Sequence, residues 1–430
     1  MTVAAGEASQ LAEPAKAAPA ALFAAALVVA SLCFNFVLCF VNTKLFSVNA
    51  GLVMGAEVML IGSALLLVLR DNPPLYAVLA AYLSYSVFLA SMQGAFDMKS
   101  VRDVLIPIVF VFVGRRLGDP AMGDRLVAIC VWIVLLVGLC EFFFLTQYLK
   151  FIDIFAYYVS RGTVNAAASD TTGTHLFASG IRPEGRSLLP FLGDHRVSSV
   201  FLEPVSVGNF GAIAFSWTVL RNFRRPLAML AKLLPVVAIF VLADARFGLM
   251  VSLSCFVVFP AAKYIGRVPM LLAPFFALWL LAIVGILNEN TPWDNGLGGR
   301  LLVSGQMLSG LDLSEVLAFV PVTRFVSDSG YTYLLTKTGL IGVVGLWGLF
   351  VLYPAKNDEE WRFRVFVAVY ILALLTISNS LYSLKTAGLL WYLVGCVASQ
   401  PALRAAAPDG AGRRADAPAS WGAHFSHQGR

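Results

Sequence analysis

Residues 21–41 read ALFAAALVVASLCFNFVLCFV, a stretch without a single charged side chain. Coiled as an α-helix at 1.5 Å per residue, it spans about 30 Å, the thickness of a bilayer's hydrocarbon core. Working outward, windows of the same character recur near 51–69, 75–95, 104–117, 126–146, 201–220, 227–243, 247–264, 269–287, 331–353, 363–379 and 382–398. With 59% hydrophobic and 13% charged residues, a chain of 430 residues could not cover the surface of a soluble domain with polar groups. The expected fold is therefore all-α, a polytopic integral membrane protein with about twelve transmembrane helices.

Two long polar connections interrupt the second half, at 147–200 and 288–329. Residues 1–19, rich in Ala, Glu and Pro, read as a disordered N-terminus without the cationic start and processing site of a cleavable signal. Residues 20–399 form a single membrane domain, and 400–430 a disordered tail rich in Ala, Gly and Arg.

An even number of spans places both termini on one side. That side collects the majority of the 31 Lys and Arg, among them Arg115, Arg116, Arg125, Arg221, Arg224, Arg225, Lys356, Arg362 and Arg364. The positive-inside rule then makes both termini cytoplasmic and turns both long loops outward. The net charge of +6 follows from the same bias and calls for no nucleic-acid partner. Cys33, Cys39, Cys130, Cys140, Cys255 and Cys396 all fall inside the apolar windows, so they read as packing residues and support neither a disulfide framework nor a metal site. Without a GxxxxGK[ST] motif, an Asp-x-Asp pair or a cytoplasmic domain, no nucleotide cofactor is expected. Energy for any reaction must come from the substrate.

Chemistry is expected in the two outer loops. In the first, Arg182, Arg186 and Arg196 stand with Asp194, His195 and Glu203 before the sixth span. Arginine presents a planar fork to phosphate oxygens, which suits a phosphate-bearing lipid head group. Glu203 precedes Pro204 and should sit at a helix N-terminus, where it either complements the helix dipole or serves catalysis or binding. His195 reads as a solvated loop residue. In the second loop, Arg300 and Asp328 flank an apolar run, 301–320, expected to lie as a helix along the membrane surface, with Arg324 and Tyr331 close by. Arg246 sits in a tight turn with Asp244 as its local partner and a pyrophosphate as its functional one. Glu57 and Glu141, in or near spans, read as helix–helix hydrogen bonds or cavity lining.

The order Arg196-x-Ser-Ser-x-Phe201-x-Glu203-Pro204, Asp244-Ala-Arg246-x-Gly248, Arg300, and Asp328-Ser-Gly-Tyr331 before Leu334-Leu-x-x-x-Gly339-Leu-x-Gly342 resembles the Wzy-type bacterial polysaccharide polymerases of the O-antigen polymerase and ligase superfamily, over roughly residues 100–350. In the ligase branch the first motif reads more like Phe-Gly-Asn-Pro-Asn and a His stands near the position of Asp328, so this chain is more similar to exopolysaccharide or capsule polymerases. The resemblance implies a glycosyltransferase of the bacterial inner membrane. It would join undecaprenyl-pyrophosphate-linked oligosaccharide repeats on the outer face, among membrane lipids and beside flippase and chain-length regulator proteins. It also implies that Arg196, Arg246 and Arg300 hold pyrophosphate, that Glu203 or Asp328 is the general base, and that the hydroxyl-rich run 162–173 holds sugars. A ligase of the same superfamily and a flippase of lipid-linked sugars remain open alternatives.

Overall fold

The computed structural model describes residues 17–164, 175–182, 184–289, 291–292, 296–322, 324, 326 and 329–399. Asp328, Asp294 and most of the 162–173 run lie outside the described residues, as do 1–16 and 400–430.

Each of the twelve apolar windows coincides with a helix: α1 Ala17–Lys44, α2 Ala50–Leu69, α3 Pro73–Gln93, α4 Met98–Leu117, α5 Pro120–Phe143, α8 Pro204–Asn222, α9 Pro226–Ala243, α10 Arg246–Ala261, α11 Arg267–Leu287, α14 Gly330–Leu352, α15 Asp358–Leu375 and α16 Leu384–Ala398. Four short helices lie in the long connections: α6 Leu145–Phe151, α7 Ile154–Ser160, α12 Leu297–Ser309 and α13 Leu313–Val316. Local sequence sets the helix starts. Pro opens α3, α5, α8 and α9, where its missing N–H would have been unpaired anyway. Side chains of Asn49, Asp97, Asp119, Ser329 and Asn357 accept from the free first-turn N–H groups that follow them.

Eight helices among the described residues, α1, α2, α3, α5, α9, α10, α11 and α14, are long and apolar enough to cross a membrane. The chain is a multi-pass membrane protein. The other four are shorter, more charged or more deeply buried against protein. Every residue of α16 is buried, as is most of α8, so their surroundings relax the demand for length and hydropathy. In α4 and α15, Asp103 and Glu360 are buried against Arg102 and Arg364. Helix α16 packs most extensively on α4. Their backbones meet at two glycines, for a Cβ on Gly395 would stand 2.3 Å from the Val111 carbonyl and one on Gly114 2.1 Å from that of Tyr392. Small residues permit this approach where lipid supplies no hydrophobic drive for association.

Helix α14 is broken at Gly339, whose φ of 70° and ψ of 154° no other residue adopts comfortably. The Tyr85 hydroxyl bridges the break, donating to the Thr338 carbonyl at 2.9 Å and accepting from Gly342 N–H at 3.2 Å. The Leu317 carbonyl would lie 2.6 Å from a Cβ at position 339. Gly339→Ala is therefore expected to destabilise the fold by at least about 1–3 kcal/mol, read as a lowered melting temperature in detergent.

The surface helix expected over 301–320 is a correction. The run divides at Gly310 into α12 and α13, because Asp312 and Glu315 form a capping box that starts a new helix. Arg300 lies in the first turn of α12, which packs against α11.

Candidate functional site

The end of the bundle where α5, α9 and α15 finish and α8, α10 and α16 begin carries the first long connection, tied down by carboxylates and helix ends. Buried Glu141 accepts from Ser198 N–H at 2.9 Å and Ser199 N–H at 2.6 Å, and lies 3.1 Å from His195 Nε2. His195 is thus half-buried and held, not a solvated loop residue, because α5 delivers the Glu141 carboxylate beneath the loop. The last carbonyls of α9 meet a row of donors. Val197 N–H reaches Leu242 O at 3.0 Å, Arg186 donates to the carbonyls of Val241, Leu242 and His195, and Arg196 donates to Ala243 O at 3.1 Å, Asp244 O at 3.4 Å and Ser179 O at 3.0 Å. Cationic donors at a helix C-terminus satisfy both its free carbonyls and its dipole.

Between α9 and α10, Asp244 adopts a left-handed backbone with φ of 47°, which Asp and Asn tolerate best after glycine. Its carboxylate accepts from Ser187 N–H at 3.1 Å and Leu188 N–H at 2.7 Å and pairs with Arg182. The expected Asp244–Arg246 pairing is corrected: the loop places Arg182 on the carboxylate, and Arg246 opens α10 with its side chain exposed. Among the described residues neither Arg246 nor Arg300 has a hydrogen-bonding or ion-pair partner for its guanidinium.

These arginines lie close enough to act on one another. Burial lowers the Arg196 pKa from the ordinary arginine value to about 10, and the like charges of Arg182, Arg246 and Arg300 add to the effect, with only Asp244 opposing it. Arg182 is lowered by burial and by Arg246 and Arg300, against the pull of Asp244 and Glu184. Two cations of the first long connection and two at helix starts thus lie within electrostatic reach, against Asp244 and Glu184. Such a field favours a multiply charged anion, and the guanidinium forks of exposed Arg246 and half-buried Arg300 are placed to meet it.

Glu203 stands just before α8, but its side chain does not cap that helix. It accepts from Tyr158 Oη at 2.7 Å, Ser206 Oγ at 3.0 Å and Lys385 Nζ at 2.9 Å, while Lys385 also donates to Phe201 O at 3.0 Å. Burial raises the carboxyl pKa, yet Lys385 and the two hydroxyls outweigh it and leave Glu203 below the usual glutamate range. Burial and the facing Glu203 hold the Tyr158 phenol far above its ordinary value, so it remains a donor. A carboxylate offers about four acceptor positions, and three donors leave one open on a side chain that is 30% exposed. Sequence reasoning missed Lys385 and Tyr158. A lone lysine at the head of an apolar window was the available signal.

The remaining candidates lie apart from the cluster. Arg324 binds Glu315 at 2.6 Å and the Gly310 carbonyl at 2.9 Å within its own loop. Tyr331 is buried, its hydroxyl 3.3 Å from Leu372 O. Glu57 pairs with Arg102, which also holds Asp103, whose carboxylate accepts from Tyr333 Oη at 2.6 Å. Both Glu57 and Glu141 thus make interhelical or helix–loop hydrogen bonds. A cavity of about 450 Å³ between α3, α4, α11, α14, α15 and α16 is walled almost wholly by apolar side chains. Among the described residues no group of three or more His, Cys, Asp or Glu could hold a metal ion. No family model matches the chain, and neither a curated protein nor a solved structure matches it.

Proposed function

We propose that the chain is a glycosyltransferase that polymerises undecaprenyl-pyrophosphate-linked oligosaccharide repeats into an exopolysaccharide, capsule or O-antigen chain. In this reading all twelve helices cross a bacterial inner membrane, both termini are cytoplasmic, and the arginine cluster faces the periplasm. The observation that carries it is that Arg182 and Arg196, held by the first long connection, feel the like charge of Arg246 and Arg300, with Asp244 and Glu184 as the acids opposing it. The motif order that resembles Wzy-type polymerases lends it support.

In the reaction the bond between the anomeric carbon of the growing chain and its pyrophosphate breaks. A new bond forms from that carbon to a hydroxyl of the incoming repeat. Undecaprenyl pyrophosphate departs with the bonding electrons, and the hydroxyl proton passes to a base. Arg246 and Arg300 offset the charge that develops on the leaving pyrophosphate, and Arg182 and Arg196 extend the positive field. Glu203, fixed by Lys385 and with one acceptor position open, receives the proton, and Asp328 is the second candidate. The apolar lining of the large cavity offers a sugar no polar path across the membrane, which favours the enzyme over a flippase.

Lipid-linked glycans extracted from a deletion strain and sized by mass spectrometry test the reading. Single repeats accumulating on the outer leaflet without polymer are expected. Long lipid-linked chains would indicate a ligase instead, and single repeats on the cytoplasmic leaflet a flippase.

A binding prediction accompanies this. Inorganic pyrophosphate is expected to raise the melting temperature of the purified protein, and the Arg246→Gln/Arg300→Gln variant to lose most of that rise. Without ligand the same variant should melt slightly higher, by about 0.2–1 kcal/mol of relieved repulsion. Because the native Arg196 pKa is depressed, the native state holds fewer protons than the unfolded one above about 10. The pyrophosphate effect should therefore persist across neutral pH and fade as pH rises through about 10.

A further inference from the structure

The apolar cavity extends along the bundle, from Tyr331, Leu375 and Tyr382 near the arginine-cluster end to Arg115, Tyr353, Glu360 and Arg364 at the other. Its polar groups are concentrated at this second mouth. Arg115 lies 4.7 Å over the Tyr353 ring and donates to the Tyr353 hydroxyl at 2.6 Å. Arg364 is paired with Glu360, and Lys356 reaches the carbonyl of Ala398, itself part of the wall, at 3.1 Å. Arg267 and Arg115 both press like charge on Arg364. Four cations thus gather near Glu360, while Glu359 of the same turn is paired with Arg221, at the mouth of a greasy cavity of a size typical of ligand sites.

A third feature stands deeper in the wall. Trp391 is 8% exposed, and its indole N–H has no hydrogen-bond partner. It lies one helical turn from Gly395, which touches the backbone of Arg115. Four residues at 1.5 Å place the indole about 6 Å further in than Arg115. A buried donor without a partner is costly, and an acceptor at that depth would satisfy it.

We propose that this cavity binds an anionic glycerophospholipid. One acyl chain fills the apolar space, the phosphate rests on Arg115 and Lys356, and an ester carbonyl, one glycerol unit deeper, accepts from Trp391. In the orientation proposed above the lipid belongs to the cytoplasmic leaflet, on the opposite side from the pyrophosphate cluster. The site does not depend on the polymerase reading.

The test uses the full chain reconstituted in bilayers containing phosphatidylglycerol or phosphatidylcholine with brominated acyl chains, which quench nearby tryptophans. Trp347 and Trp391 both line the cavity, whereas Trp132 and Trp279 are exposed on the surface and report bulk lipid equally in both series. Brominated phosphatidylglycerol is expected to quench an additional fraction of the emission, at about tenfold lower mole fraction than phosphatidylcholine. The preference should vanish in the Arg115→Gln/Lys356→Gln variant, and the additional fraction should shrink in Trp391→Phe. Equal quenching by the two lipids in the wild-type chain would overturn the proposal, a comparison that stands even if a variant fails to fold. So would a preference that survives the double substitution in a folded variant.

Discussion

Arg300→Ala is expected to lower polymer formation by about 10²- to 10³-fold at unchanged protein level, and Arg246→Ala to do the same. Removing one preorganised donor from a developing negative charge typically costs this much. The structural reason for choosing these two is that neither guanidinium is used to hold the fold. Among the described residues both lack a partner, and Arg246 is exposed. Arg186 provides the contrast. It is buried and donates to carbonyls at the end of α9 and to His195 O at 2.8 Å, so Arg186→Gln should cost about 1–3 kcal/mol through unpaired carbonyls. Quantitative immunoblotting beside polymer measurement separates the two behaviours. If Arg300→Ala and Arg246→Ala support normal polymer, the assignment of these arginines to the leaving group is wrong.

Lys385→Met is expected to destabilise the protein by about 3–5 kcal/mol. The ammonium is buried, and its removal leaves Glu203 with two hydroxyl donors but no cation and the Phe201 carbonyl without the lysine donor. Breaking a buried pair costs more than the pair contributes, because one charge stays behind uncompensated. The partial exposure of Glu203 lets water reach it, which favours the lower end of the range. Glu203→Gln strands the lysine in turn. The double variant Lys385→Met/Glu203→Gln removes both charges and should recover at least half of the loss, a coupling that thermal melts of the four proteins measure directly. It should nevertheless make no polymer if Glu203 is the base. Simple additivity of the two single losses would show that the pair is not coupled.

The positions of most helices are legible in the sequence because hydrocarbon thickness imposes a length and hydropathy that eight of the windows carry by themselves. Helices α4, α8, α15 and α16 are legible only as apolar windows, since burial against neighbours lets a helix be short or charged. The residues of the candidate site are legible as types, because arginines and carboxylates in outer loops of an apolar chain are conspicuous. Their partners are not. Asp244 has Arg246 two residues away in sequence, yet its carboxylate is claimed by Arg182 and by two backbone groups of the same loop. His195 meets Glu141 and Glu203 meets Lys385 only because helices distant in the chain come to lie side by side. Pairing depends on packing, and a local window contains no record of it.

The glycine contact between α4 and α16 has a consequence for biogenesis. Synthesis proceeds from the N-terminus, and α4 is complete while more than half of the described chain is still to be made. Its principal neighbour, α16, is the last helix described. Until α16 arrives, the Gly114 face of α4 lacks its neighbour and the Glu203 carboxylate lacks Lys385. The contact therefore closes only after synthesis of α16, and a chain halted before it remains a loose set of helices within reach of membrane quality control.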